Sequence, residues 1–292
     1  MPGTPPSQHG PEHTRPAGRP ASRTAAVGCA ALALAALATG CGGQERTSTR
    51  GAAPTASASP SADASPSPSP SPSAGSTTGA LPDAYDFTPD PARVPRTPER
   101  ARELTRNASL EPADWTPGMV RHDPYENAGT RPLLPDTCVW TRTPLPPGML
   151  DSYTRRIDMP AKDGKGRVQG SLTVTVHRDE ALADREMKDT VQESFRCPVQ
   201  QLGGGQRLDG LMSMHLDPKD VKNADATLFE AGRWTGPGSG GPQEYVWSKS
   251  RIGTVTTAVS VKGAEGYETT DLIRFAAEAG AKMLYRVELE LK

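Results

Sequence analysis

Three histidines lie beyond residue 80 of this 292-residue chain, His122, His177 and His215. A hydrolase working through a general base, or through zinc, needs such a ring beside a nucleophile or in a spaced ligand set such as His-Glu-x-x-His. None of the three stands in such a motif. His122-Asp123-Pro124-Tyr125-Glu126 reads as a polar surface turn, and Asp179-Glu180 as acids favoured at a helix N-terminus, not as general acids. The sequence therefore predicts no catalytic residue, no metal site and no cofactor. Aromatic residues offer a different chemistry because they are scarce, at 5% of the chain. Trp140, Trp234, Tyr245 and Trp247 fall on or beside strand-like segments, and alternation puts Tyr245 and Trp247 on one face. They could line a groove that stacks a glycan or a lipid, though an ordinary contribution to the core is the better reading.

One serine is flanked by glycines. Gly238-Ser239-Gly240-Gly241 resembles the nucleophile segment of chymotrypsin-like proteases, but Gly238 stands where that family has Asp, and Gly236-Pro237-Gly238 precedes it. A loop is the better reading. Cys138 and Cys197 are the two cysteines of the part that would be exported. In an oxidising compartment such a pair is most simply a disulfide, closing a loop of about sixty residues; two free thiols are the alternative.

The elements that must position these residues follow from hydrophobic period. Residues 168–176 alternate, with Val168, Gly170, Leu172, Val174 and Val176 on one face and Gln169, Ser171, Thr173 and Thr175 on the other, which predicts a half-buried antiparallel strand. Residues 152–159 form a weaker strand, joined to it through the Asp163-Gly164 turn. A helix follows over 179–195, capped by Asp179, with Ala183, Met187, Val191 and Phe195 as its stripe. The same order returns: a strand over 244–250, a turn at Gly253, a strand over 254–261, then a helix capped by Thr270 or Asp271 with Leu272, Ala276, Ala279 and Met283 inward. Residues 207–216 and 225–231 are further strand candidates, and 97–104 a short helix with Pro98 at its start. The expectation is an α+β fold: an antiparallel sheet with helices packed on one face, two ββα-like units and one disulfide, in a single domain over 81–292.

What precedes that domain is different in kind. The formal net charge of -1 gives no field that would attract nucleic acid. Of the 30 prolines and 29 glycines, 12 and 10 fall in the first eighty residues, and the Ser, Pro, Ala, Thr and Gly of 42–80 cannot bury enough apolar surface to order themselves. Residues 1–23 are polar and end basic; 25–38 are apolar for about fourteen residues, enough for a signal segment and too few for a spanning helix. Leu37-Ala38-Thr39-Gly40-Cys41 then resembles the lipobox of bacterial lipoproteins. That resemblance implies a signal peptide over 1–40, a diacylglyceryl group on Cys41, and a tether over 41–80 that holds the domain at the outer face of the cytoplasmic membrane. A plain secretory leader with an incidental Cys41 is the alternative.

Cys138-Val139-Trp140, the strand and helix through Phe195-Arg196-Cys197-Pro198, and the strand from Val255 to Val261 resemble the exported sensor-like domains of actinobacterial lipoproteins and of membrane-bound Ser/Thr kinases. Those kinase domains have two disulfides where this chain can form one. The likeness implies binding or sensing of a cell-wall component, a small ligand or another envelope protein, with the membrane as partner through Cys41. An envelope enzyme acting on peptidoglycan or glycan is the competing expectation.

Overall fold

The structure, a computed structural model, describes residues 85–292. The expected signal peptide, Cys41 and the tether over 41–80 lie outside the described residues. Two short helices open the domain, α1 (Pro98–Ala108) and α2 (Pro112–Trp115), followed by β1 (Val120–Ala128), β2 (Thr130–Leu133), β3 (Thr141–Pro144), β4 (Met149–Met159) and β5 (Val168–His177). Next come α3 (Glu180–Arg196), β6 (Gln200–Gly203), β7 (Gln206–Leu216), β8 (Ala226–Thr235), β9 (Gln243–Ile252), β10 (Val255–Lys262) and α4 (Thr269–Leu291).

Eight strands make one curled antiparallel sheet in the order β1-β4-β5-β10-β9-β8-β7-β6, while β2 and β3 pair separately. The expected α+β class and both ββα units are present, as β4-β5-α3 and β9-β10-α4. Their second strands are neighbours, paired from Val255 opposite Val176 to Lys262 opposite Gln169. The Gly253 turn lies where expected, at positive φ between β9 and β10. The two cysteines are bonded to each other, with Cα atoms 5.4 Å apart.

The alternation in β5 and β10 decides which face is core. Leu172, Val174, Val176, Val255, Val259 and Val261 are buried together with Leu104 of α1, Trp115 and the α4 residues Leu272, Ala276, Ala279 and Met283. Trp115 is anchored by its ring N–H to the Phe275 carbonyl at 2.9 Å. Gly170 is required beneath it: a Cβ there would stand 2.5 Å from the indole. The C-terminal helix is capped two residues before Thr270, at Glu268, which forms a reciprocal capping box with Asp271, and it continues past Met283 to bury Val287 and Leu291.

Three features depart from expectation. Helices α1, α2 and α4 cover the core face, but α3 lies across the opposite one: its Glu186 meets Thr256, whose neighbours Val255 and Thr257 point to the core. Only Ala183 and Met187 of the α3 stripe are buried, and Phe195 is 75% exposed, so this helix bridges polar groups where a broad apolar seam was expected. The segment from His122 to Glu126 is no free turn but an irregular stretch of β1, where pairing with β4 shifts register. Among the described residues no helix is long and apolar enough to cross a membrane.

Candidate binding groove

Because α3 stands over the sheet face that alternation leaves polar, a cavity of about 890 Å³ opens between them. Its floor is made by every second residue of five adjacent strands. Register sets Arg156, Ser171, Ser260, Trp247 and Glu230 side by side in one row across β4, β5, β10, β9 and β8. A flanking row runs Asp158, Gln169, Lys262, Tyr245, and another runs Thr154, Thr173, Ala258, Lys249. Cross-strand hydroxyl pairs stiffen the floor, Thr154 with Thr173 at 2.9 Å and Ser152 with Thr175 at 3.0 Å. One wall is α3, with Thr190 and Glu193; the other is the β2–β3 hairpin, with Arg131 and Arg142, and the β6–β7 turn.

The disulfide holds one rim. It ties the segment before β3 to the end of α3, and Trp140 just beyond it bonds Gln200 through its ring N–H at 2.7 Å. Of the four aromatics singled out by sequence, Trp140, Tyr245 and Trp247 line the groove. Trp234 does not: it is buried beside Leu208 and Tyr245 and donates to the Gly263 carbonyl at 2.8 Å. Tyr245 is itself nearly buried, so Trp140 and Trp247 are the half-buried rings available for stacking.

Charge is unevenly spent. Glu186 of α3 is locked by Lys249 at 3.0 Å, His177 at 2.9 Å and the Thr256 hydroxyl at 2.8 Å. Burial would raise this carboxyl, but Lys249 and then the His177 bond prevail and hold it well below the usual range. His177 is thereby consumed in clamping α3 to the sheet, and it is not on the groove wall. Elsewhere burial wins: it raises Glu193 against the pull of Lys249, and it raises Glu230 despite the bond from Ser213 at 2.6 Å.

At the β4 end the sign is positive. Arg142 reaches Thr154 at 2.9 Å and contacts no carboxylate, Lys262 bonds only Gln206 at 2.7 Å, and Arg156 and Arg131 make no ion pair among the described residues. Burial brings the Lys262 ammonium down to about 8, with Asp158 opposing and Arg156 adding to the fall. Arg142 is lowered first by burial and then by Arg156. Asp158 is already taken, by Arg167 and by His122 at 2.7 Å. Neither lone arginines nor a lone lysine carried a signal in the sequence; only the register, which sets β4 and β10 two strands apart, assembles them.

The other candidates are dispersed. Ser239 donates to the Gly241 carbonyl at 2.7 Å and closes the β8–β9 turn. His215 is not among the groove's lining residues; it lines an adjoining crevice of about 30 Å³ that shares Thr190, Glu230 and Trp247 with the groove. Among the described residues no three His, Cys, Asp or Glu side chains converge as a metal site would require.

No family model matches the sequence, and no curated protein matches it. Among solved structures, the extracellular domain of PknH from Mycobacterium tuberculosis is similar at 14% identity with a TM-score of 0.41, covering 64% of this chain and 96% of that one. A likeness at this level carries neither ligand nor activity across.

Proposed function

We propose that this chain is a lipid-anchored cell-surface protein whose sensor-like domain binds a component of the cell envelope without transforming it. The groove between α3 and the sheet is the observation that carries the reading. It has the volume of a small-ligand site, a floor of hydroxyls for hydrogen bonding, and two half-buried tryptophans for stacking. His177 is already bound to Glu186 and lies off the wall, and His122, which does line the groove, is held by Asp158 at 2.7 Å. The anchor is supported by Cys41 and the small residues before it.

Thermal unfolding in the presence of envelope fragments tests the binding. A ligand at about 100 times its Kd adds about 2.7 kcal/mol, raising the midpoint by roughly 5 to 10 °C for a domain of this size. Wild type shifts with the ligand fraction and Trp247→Ala does not. Equal shifts in both would place binding outside the groove and defeat the reading.

Two carboxyls in the groove, Glu193 and Glu230, favour a second reading. Both are raised by burial, as a general acid for glycosidic cleavage must be. Release of new reducing ends from peptidoglycan by wild type, lost in Glu230→Gln, would establish that enzyme; intact glycan after long incubation excludes it for this substrate.

A further inference from the structure

We infer that the cluster of Arg142, Arg156 and Lys262 is a subsite for the anionic group of a sugar, a phosphate or a carboxylate, whose ring lies across the hydroxyl row toward Trp247. This rests on the groove reading and gives it a ligand class.

Arg156 acts on both Arg142 and Lys262 as a like charge, and none of the three makes an ion pair among the described residues. Arg156 and Lys262 share the floor, and Arg142 comes down from the hairpin to Thr154, two residues along the same face of β4 from Arg156. Asp158 is the nearby carboxylate: Arg167 and His122 hold its Oδ2, its buried Oδ1 has no partner among the described residues, and its charge offsets part of the penalty on Lys262. Glu193 stands on α3 and Glu230 on β8, so neither shares the β4 end of the floor with the cluster.

Burial first, and then the like charge of Arg156, lower Lys262 and Arg142. A bound anion relieves both. Two guanidinium forks and an ammonium match the oxygens of a phosphate or carboxylate, each contact charge-assisted.

The rest of the ligand is constrained by what adjoins the cluster. Ser171 and Ser260 lie next to Arg156 in the same row, and Trp247 follows. A row of hydroxyls ending in a partly exposed indole suits a polyhydroxylated ring with one apolar face better than it suits an acyl chain. The cavity, at about 890 Å³, is also far larger than an inorganic anion needs.

Tryptophan fluorescence of the full chain in detergent, titrated with glucose 1-phosphate, glucuronic acid, glucose and inorganic phosphate, tests this. At least one of the two acidic sugars should bind about tenfold more tightly than glucose and than inorganic phosphate, a factor that one good charge-assisted contact supplies. Arg156→Gln and Lys262→Gln should each remove that advantage while the free protein still unfolds in one cooperative step at a midpoint no lower than wild type, and Arg100→Gln on α1 should change nothing.

Glucose binding as tightly as both acidic sugars, with the advantage absent in wild type, overturns the anionic subsite and leaves the groove reading standing. Inorganic phosphate binding as tightly as glucose 1-phosphate overturns the sugar. An acidic-sugar advantage that survives both groove substitutions overturns the placement. Absence of any response to all four probes overturns the ligand class, and the groove reading then stands or falls on the envelope-fragment shifts of wild type against Trp247→Ala.

Discussion

Lys262 and Glu186 show two opposite ways of keeping a charge in the groove. The Lys262 ammonium is brought down to about 8 by burial, so between that value and its ordinary 10.5 the unfolded chain binds more protons than the folded one. Stability from this group therefore rises with pH across 8 to 10.5, and below about 8 the charged amine costs the fold its full penalty. Lys262→Met should be more stable than wild type at pH 7 by about 1 to 3 kcal/mol, and the gain should fade as pH passes 10. Urea unfolding at pH 7 and pH 10 checks it; a less stable variant at pH 7 would mean that the bond to Gln206 and the contact over the Trp234 ring outweigh desolvation. Glu186 behaves conversely. Its carboxyl is held low, so its contribution is complete above the ordinary glutamate value and is lost as pH falls below it. Glu186→Gln leaves Lys249 unpaired in a buried place and should cost about 3 kcal/mol at neutral pH, with the deficit against wild type narrowing below about pH 4. A deficit that stayed constant from pH 7 to pH 3 would show that the carboxylate charge is not what holds α3.

At the scale of elements, the strands legible in sequence are those with one apolar and one polar face. β5 and β10 alternate cleanly and sit at the centre of the sheet, so pattern and burial agree. β1 is an edge strand with no fully buried residue, and β2 carries Pro132 in a separate hairpin, so neither shows the period that would reveal it. The polar faces were equally visible in sequence but read as solvent-facing; an amphipathic stripe says that a helix packs, not against which side, and α3 turns that face into a groove. Gly170 marks where element packing overrules strand propensity. Gly170→Ala should lower stability by about 1 to 3 kcal/mol, because the methyl would enter the Trp115 indole and β4's Ile157 carbonyl lies 2.7 Å away on another side. Near-neutral unfolding of that variant would mean α2 can retreat freely. The disulfide acts on a longer span: it joins cysteines 59 residues apart, and removing it with Cys138→Ala and Cys197→Ala should cost about 4 kcal/mol, read in the same unfolding experiment. The loss should be accompanied by faster amide exchange in β6, which Trp140 and Cys138 hold by backbone bonds to Gln201.

At the scale of the whole molecule, the proposed function requires an attachment to the membrane. The proposed anchor is a lipid on Cys41, and the physical case for it is additive: about 0.8 kcal/mol for each buried methylene makes two acyl chains a lasting attachment where one is marginal. Residues 42–80, if extended as Pro-rich chains prefer at about 3.1 Å per residue, would span on the order of 100 Å, enough to hold the groove away from the bilayer and within a cell wall. The two parts can be separated. Cys41→Ser should move the protein from the membrane fraction to the soluble or secreted one, while its unfolding midpoint stays that of wild type, because the groove and core are built from residues beyond 84. Deleting 44–78 with Cys41 kept should leave the protein in the membrane fraction but shield it from a protease added to intact cells. A Cys41→Ser protein that remained as membrane-bound as wild type would overturn the lipid anchor, and equal protease sensitivity of long and short forms would leave the tether no role in reach. Together the two measurements decide whether the groove meets its ligand at the bilayer or out in the wall, and so which envelope fractions can supply an acidic sugar to Arg142, Arg156 and Lys262.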